Sequence, residues 1–591
     1  VRGQNVLNAT GPIQVYLAEA GDTYTDNLGA GPITFSASGF TDYERAQIFS
    51  IYEQIEQFTA LDFELTTDRA AADLEMASAN LNDALSNGTL LGYFYFPTPT
   101  GQGGHGLLNN AFAGWSDTGG GGLDRGGFMY GVTAHEIGHA LGLAHPHDSG
   151  NGTEVLNGVT GSGALGDFDL NQGIFTAMSY NDGYLTSPDG RPGTFDYGYN
   201  AGYGAIDIAA LQELYGVNET YAGGGDVYHL ATANGPGTGW EAIWDTGGID
   251  WIVAQGLEDA VIDLRPATLT VAVGGGGFVS SVDGIHGGFT IAAGVLIERA
   301  HGGAGDDVLT GNEADNLLIG GAGADTLTGG AGQDGVSYQH SKAAVEVSLA
   351  TGLGIGGDAK GDQLTEIEWL RGSRFTDTLT GDGKDNRLLG MHGQDQLEGG
   401  GGADVLLGGT GGDTLAGGAG NDRLKGEAGM DLLRGEDGSD VLEGGRSRDT
   451  LLGGAGEDVL RGGIGIDRLE GGADADRLDG GENGDMLFGG DGADILVGGQ
   501  GHDRLTGGSG DDRLIGGTGL DTYVFDLPGF GDDRITGFVY REVLDFTGLG
   551  LGLDDLEVTQ IAAGVQIETA QGSVLLEGKR IEGLTEANFL V

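Results

Sequence analysis

No cysteine occurs in the 591 residues, so no disulfide, thiolate zinc site or cysteine nucleophile is available, and a chain working outside the cell needs another staple. Proline is scarce at 10, and although glycine reaches 124 there is no Gly-X-Y period, which excludes collagen. Basic side chains are also few. The 27 Lys plus Arg face 88 Asp plus Glu, and the net charge of −61 disfavours nucleic acid and anionic membranes as partners while favouring cations. There is no run of 18 apolar residues, so no transmembrane helix is expected. The first ten residues, VRGQNVLNAT, lack the charged and apolar segments of a secretory signal, and the missing initiator Met suggests a trimmed chain. The length favours several domains over one core.

What is abundant is repetition at a period of nine. Residues 372–524 divide into 17 nonapeptides of the form G-G-x-G-x-D-x-U-x, where U is a large apolar residue, with no insertion; GGAGNDRLK (417–425) and GGSGDDRLI (507–515) are examples. The eighth position is Leu in every unit except the last, which has Tyr523. The sixth is Asp377, Asn386, Asp395, Asp404, Asp413, Asp422, Asp431, Asp440, Asp449, Asp458, Asp467, Asp476, Asp485, Asp494, Asp503, Asp512 and Asp521. A shorter block at 302–337 has Asp307, Asn316, Asp325 and Asp334 in that place. The two block starts are 70 residues apart, not a multiple of nine, so 338–371, with VEVSLA at 345–350, is expected to interrupt the repeat as a small β insert.

Glycine permits positive φ and close backbone approach, so G-G-x-G-x-D forms a tight turn that offers carbonyls and a carboxylate, while x-U-x is a short strand with one inward residue. Such oxygens suit Ca²⁺, whereas zinc or iron would call for nitrogen or sulfur. A flexible acidic linker would have no reason to keep Leu and Asp in register. The pattern resembles the RTX (repeats-in-toxin) family. That resemblance implies parallel β-rolls with two nonapeptides per coil and Ca²⁺ between successive coils, so the long block makes about 8.5 coils, roughly 40 Å at about 4.8 Å per strand. All the aspartates just named are then candidate calcium ligands. A roll of uncompensated carboxylates with so little apolar content is expected to fold only with calcium.

Residues 1–217 have ordinary apolar periodicity and read as a globular domain. Thr41 and Glu44 form a capping box ahead of Ile48, Ile51, Tyr52 and Ile55 at helical spacing. GYFYF (92–96), stopped by Pro97, reads as a strand. The stretch that carries chemistry is FMYGVTAHEIGHALGLAHPH (128–147). His135 and His139, four apart, fall on one helical face and can grip one metal ion, and Glu136 projects beside them, placed to take a proton from activated water. Gly142 suits a sharp exit from the helix and His145 follows as a third nitrogen, leaving a coordination position open, as catalytic zinc requires. Thr133-x-x-Glu136 could alternatively be a capping box.

The full H-E-x-x-H-x-x-G-x-x-H motif resembles the metzincin metallopeptidases, and Thr176-Ala177-Met178-Ser179-Tyr180 fits their methionine turn. Pro146, Tyr180, the helix-like IDIAALQELYG (206–216) and the RTX repeats narrow the likeness to serralysins. The resemblance implies one zinc ion on His135, His139 and His145, Glu136 as general base, and Tyr180 as a further ligand that swings away to stabilise the oxyanion. Met178 would support the site, and 103–115 would be the edge strand that pairs with substrate. His105 and His147 read as surface residues. His147 stands where serralysins commonly have Gly, and the long repeat block exceeds their usual roll.

In fold class this is a multidomain chain, an α+β metzincin catalytic domain followed by all-β parallel β-roll (RTX) domains. Its expected parts are the catalytic domain (1–217), a β-rich connecting segment (218–301), a first roll block (302–337), the insert (338–371), a second block (372–524) and a C-terminal cap with a type I secretion signal (525–591). The resemblance implies a secreted zinc endopeptidase of a Gram-negative bacterium, stabilised by several Ca²⁺, acting on proteins or peptides, exported by the type I apparatus and monomeric. The alternative is an RTX structural or surface-layer protein with a non-catalytic metallopeptidase-like domain. An RTX lipase is disfavoured because no G-x-S-x-G occurs.

Overall fold

The computed structural model describes residues 7, 11–27, 32–80, 91–94, 104–112, 114–115, 119–147, 159–181 and 186–591. The chain divides into two compact units, Val1–Gly320 with Gly330–Gly332, and Gly321–Gly329 with Gln333–Val591. Among the described residues no helix is long and apolar enough to cross a membrane.

In the first unit, one sheet takes its strands in the order Phe63–Leu65, Ile13–Leu17, Leu74–Ala79, Gly104–Asn109, Gly92–Phe94, with only the last antiparallel. Helix α1, Asp42–Phe58, starts where the capping box places it: the Glu44 N–H donates to Thr41 Oγ1 at 3.2 Å and the Thr41 N–H to Glu44 Oε2 at 2.7 Å. Its Ile48, Ile51, Tyr52 and Ile55 are fully buried, as the helical spacing predicts. Helix α2 is Phe128–Ala140, and α3 is Ala205–Tyr215, stopped by Gly216 at φ +87°. The expected strand at 92–96 is present as Gly92–Phe94; Tyr95, Phe96 and Pro97 lie outside the described residues. Beyond α3 the chain is short strands, from Val227–His229 to Arg299–Gly303.

The second unit is a roll of two parallel ladders. Each strand pairs with the one 18 residues on, so Gln396–Gly401 lies beside Thr414–Ala419 in one sheet and Val405–Thr410 beside Arg423–Ala428 in the other. The eighth-position leucines from Leu379 to Leu514 are essentially fully buried between the sheets. At the turns from Asp377 to Asp503, the sixth-position N–H donates to Oδ1 of the aspartate 18 residues later, for instance Asp395 to Asp413 and Asp440 to Asp458 at 2.8 Å. The coils stack tightly at the fourth position, where most units have glycine, although Ser447, Asp474 and Asn483 stand there at positive φ. Gly411 has φ +143°, and a Cβ there would sit 1.3 Å from the Gly393 carbonyl oxygen. Gly411→Ala is therefore predicted to destabilise the calcium-loaded roll by about 2 kcal/mol or more, read as a lowered melting transition.

The insert at 338–371 breaks the nine-residue period of the sequence yet carries the parallel ladders on. Thr326–Thr328 pairs with Gln363–Thr365, Gly335–Ser337 with Trp369–Arg371, and Glu346–Ser348 with Thr378–Thr380, all in parallel. The physical reason is substitution of carboxylates: the Asp325 N–H donates to Asp362 Oδ1 at 2.9 Å and the Asp334 N–H to Glu368 Oε2 at 3.0 Å. The insert's own strands Glu346–Ser348, Leu353–Ile355 and Gln363–Thr365 are joined by antiparallel pairings. Near the C-terminus Glu557–Gln560, Gly564–Glu568 and Gly572–Glu577 form an antiparallel meander, and Phe525, Phe530, Phe538 and Phe546 are buried.

Candidate metal centre

Helix α2 runs through the interior, with Met129, Tyr130, Ala134 and Ile137 fully buried, and this burial fixes its rotation. His135 and His139 share one face with ring centroids 4.8 Å apart. The helix ends with the Leu143 N–H donating to the Gly138 carbonyl at 2.9 Å, and Gly142 at φ +95° turns the chain back. That return brings His145 to the pair: its Nε2 lies 3.0 Å from both His135 Nε2 and His139 Nε2. His135 Nδ1 meets the Ala177 carbonyl at 2.8 Å and His139 Nδ1 the Leu143 carbonyl at 2.9 Å. Carbonyl oxygens only accept, so both rings carry their proton on Nδ1 and turn the Nε2 lone pair toward the shared point. Burial, then the neighbouring His139 and His145, holds the His135 imidazole well below its usual pKa and therefore neutral. Converging neutral nitrogens fit a zinc ion.

Glu136 is buried and its Oε2 has no hydrogen-bond partner; loss of solvent pushes its carboxyl up to about 8. Thr133 does not cap it, because the helix begins five residues earlier and the Thr133 hydroxyl donates to the Met129 carbonyl at 2.7 Å. Tyr180, half exposed, lies over the histidines with its ring 4.6 Å from that of His145 and 5.5 Å from that of His135. Met178 is fully buried beneath the helix, its sulfur 2.6 Å from where a Cβ on Gly138 would be.

Two comparisons bear on this arrangement. The RTX calcium-binding nonapeptide repeat (4 copies) matches residues 301–336, 371–406, 407–442, 426–460, 434–469, 453–487, 461–496 and 488–523. Serralysin of Proteus mirabilis is 36% identical over 191 residues, covering 30% of this chain and 35% of the relative. Metallopeptidase AprA of Pseudomonas marginalis is 34% identical over 194 residues (30% and 36%), and Serralysin C of Dickeya chrysanthemi 40% over 188 residues (30% and 34%). The chain is serralysin-like and carries RTX repeats. It spans about a third of the length of the curated relatives it matches.

The serralysin-like site contains residues that spacing did not single out. Asp207, in the first turn of α3, accepts from Thr176 Oγ1 and the Ala177 N–H, both at 2.6 Å, and from the Gly204 N–H at 3.2 Å. It thereby holds the methionine turn whose Ala177 carbonyl orients His135, and burial pushes its carboxyl up to about 6. An acid among the otherwise apolar first seven residues of α3, AIDIAAL, is the signal that could have found it. The edge-strand expectation is corrected. Gly104–Asn109 is flanked on both sides, so it cannot pair with substrate, and Gly92–Phe94 is the outer strand; residues 103 and 113 lie outside the described residues. Gly92 borders a cavity of about 270 Å³ beside His135, Glu136 and Tyr180, walled by Phe128, Val132 and Tyr199. His105 is held by Asp26 at 2.8 Å, and half-buried His147 stacks on His145 with centroids 5.0 Å apart, so neither is a plain surface residue.

In the RTX region the aspartates from Asp395 to Asp521 each keep Oδ2 buried with no hydrogen-bond partner. A buried, unpaired carboxylate oxygen at every turn fits a hard cation. A second group of acids outside the nonapeptides, Asp226, Asp245 and Asp250, brings carboxylate oxygens within 4.8 Å of one another. Asp250 is fully buried and burial pushes its carboxyl up to about 6. Sequence reading tuned to the nine-residue period passes over it.

Proposed function

We propose that this chain is a secreted zinc-dependent endopeptidase that hydrolyses proteins, with an RTX roll that folds on calcium. The observation that carries the reading is the meeting of His135, His139 and His145 at one point, with His135 and His139 locked from behind by carbonyls. These three would hold the zinc, with Tyr180 as a further ligand. Zinc, when bound, lowers the pKa of water and polarises a carbonyl. Glu136, the buried acid beside the histidines, takes the proton from the attacking water and returns it to the leaving nitrogen. The Tyr180 hydroxyl donates to the oxyanion. The outer strand Gly92–Phe94 would bind an extended substrate through main-chain hydrogen bonds, and the adjoining cavity would take one of its side chains.

Likeness to serralysins and the RTX repeats support type I export from a Gram-negative bacterium, with folding completed at external calcium. The reading is tested on casein: the purified, calcium-loaded chain should degrade it, lose activity to a zinc-selective chelator and regain it with added zinc. Absence of cleavage under all three conditions favours a structural RTX protein. Tyr180→Phe is predicted to retain zinc and lower kcat by about 10²-fold with little change in KM, measured by steady-state peptide cleavage.

A further inference from the structure

The turns of the second RTX block are not all built alike. From Asp395 to Asp521 every sixth-position carboxylate has a buried oxygen without a partner, whereas Asp377 and Asn386, the first two of the block, do not. The difference starts at the second position. In the regular turn this residue has positive φ, +104° at Gly400, and the angle persists where glycine is replaced, +80° at Met391 and +73° at Glu427. Ser373 and Asp382 hold the same position without positive φ.

With their peptides turned over, their N–H groups point inward. Ser373 N–H donates to Asp377 Oδ2 at 2.5 Å, and Asp382 N–H to Asn386 Oδ1 at 2.6 Å. The second-position side chain then accepts from the fourth-position N–H, Phe375 to Ser373 Oγ at 3.0 Å and Lys384 to Asp382 Oδ1 at 2.8 Å. A side chain thus closes each turn where the regular pattern uses Gly-x-Gly. The Ser373 hydroxyl also donates to Asp377 Oδ1 at 2.8 Å, and Asn386 Nδ2 donates to the Glu368 carbonyl at 3.4 Å. An inward N–H occupies the direction from which a cation would approach the carboxyl oxygen, so these two turns do not fit calcium.

Both turns are joined to the insert. Val345 N–H donates to Asp377 Oδ1 at 2.8 Å, and Trp369–Arg371 pairs with Arg387–His392. The insert buries Tyr338, Val345, Val347, Ile367 and Leu370, a cluster larger than the single leucine that each nonapeptide contributes. We propose that the turns at 372–377 and 381–386 bind no calcium and, with the insert, form a platform that stays folded without the ion and templates the calcium-dependent turns after it. This removes Asp377 from the candidate calcium ligands and rests on the calcium-coupled folding proposed above.

Hydrogen–deuterium exchange of the full chain, with calcium and then with a chelator, tests it. Amides in 395–521 should exchange at least about tenfold faster without calcium, while those in 338–390 change by less than about threefold. Equal loss across both regions overturns the platform alone; full protection everywhere overturns the calcium-coupled folding on which it rests. In a second arm, Asp382→Gly, Lys384→Gly and Asn386→Asp together rebuild the regular turn. Calorimetric titration of this variant should find one more calcium per chain than in the parent, and an unchanged count contradicts the proposal.

Discussion

Glu136→Gln leaves zinc bound and lowers kcat/KM for a peptide by about 10³- to 10⁴-fold, at the upper end of what a positioned general base contributes. The substitution keeps the size and the helix position, and the histidines that would hold the metal do not depend on it. Their orientation comes from the Ala177 and Leu143 carbonyls. What disappears is the only group among these residues that both accepts a proton and sits buried beside the ligands without a partner for Oε2. Zinc content measured beside the kinetics separates loss of the base from loss of the metal. More than a few per cent residual cleavage in a zinc-replete, pure preparation would overturn the assignment.

Removing calcium is the second large effect: the β signal of the roll, read by circular dichroism, should collapse in chelator and return when calcium is restored. The cause is electrostatic. In the folded roll without the ion, burial first and neighbouring aspartates next push Asp449, Asp458 and Asp476 up to about 7 and Asp485 to about 8. These pKa values lie above the usual carboxylate range, so the calcium-free folded state binds more protons than the unfolded chain, and its stability falls as pH rises from about 4 to about 8. Acidifying the calcium-free chain to about pH 5 should therefore restore part of the β signal. With calcium present the dependence reverses, because protons compete for the same oxygens, and the midpoint of a calcium titration should rise on acidification.

The parts legible in the sequence are those whose geometry is periodic. Residues His135 and His139 share a face because a helix repeats every 3.6 residues, and the leucines from Leu379 to Leu514 point inward because the coil repeats every 18. Strand order is not periodic information. Alternation marks Gly104–Asn109 as a strand but does not say that Gly92–Phe94 lies outside it. Nor does spacing disclose Asp207, which acts through backbone groups 30 residues away. The insert reads as a break because its carboxylates, Asp362 and Glu368, replace the ladder aspartates from outside the nine-residue frame. The inverted peptides at Ser373 and Asp382 were written in the sequence as Ser-x-Phe and Asp-x-Lys in place of Gly-x-Gly, a signal that only the φ angles make readable.

The proposed function rests on His135, His139 and His145 holding a zinc ion that serves peptide hydrolysis. Metal analysis of the purified chain, paired with digestion of a peptide library by the parent and by His139→Ala, tests it most directly. One zinc per chain and cleavage of internal peptide bonds are expected in the parent, with both lost in His139→Ala. Zinc-independent cleavage, or a chain that holds stoichiometric zinc and cuts no peptide in the library, would contradict it.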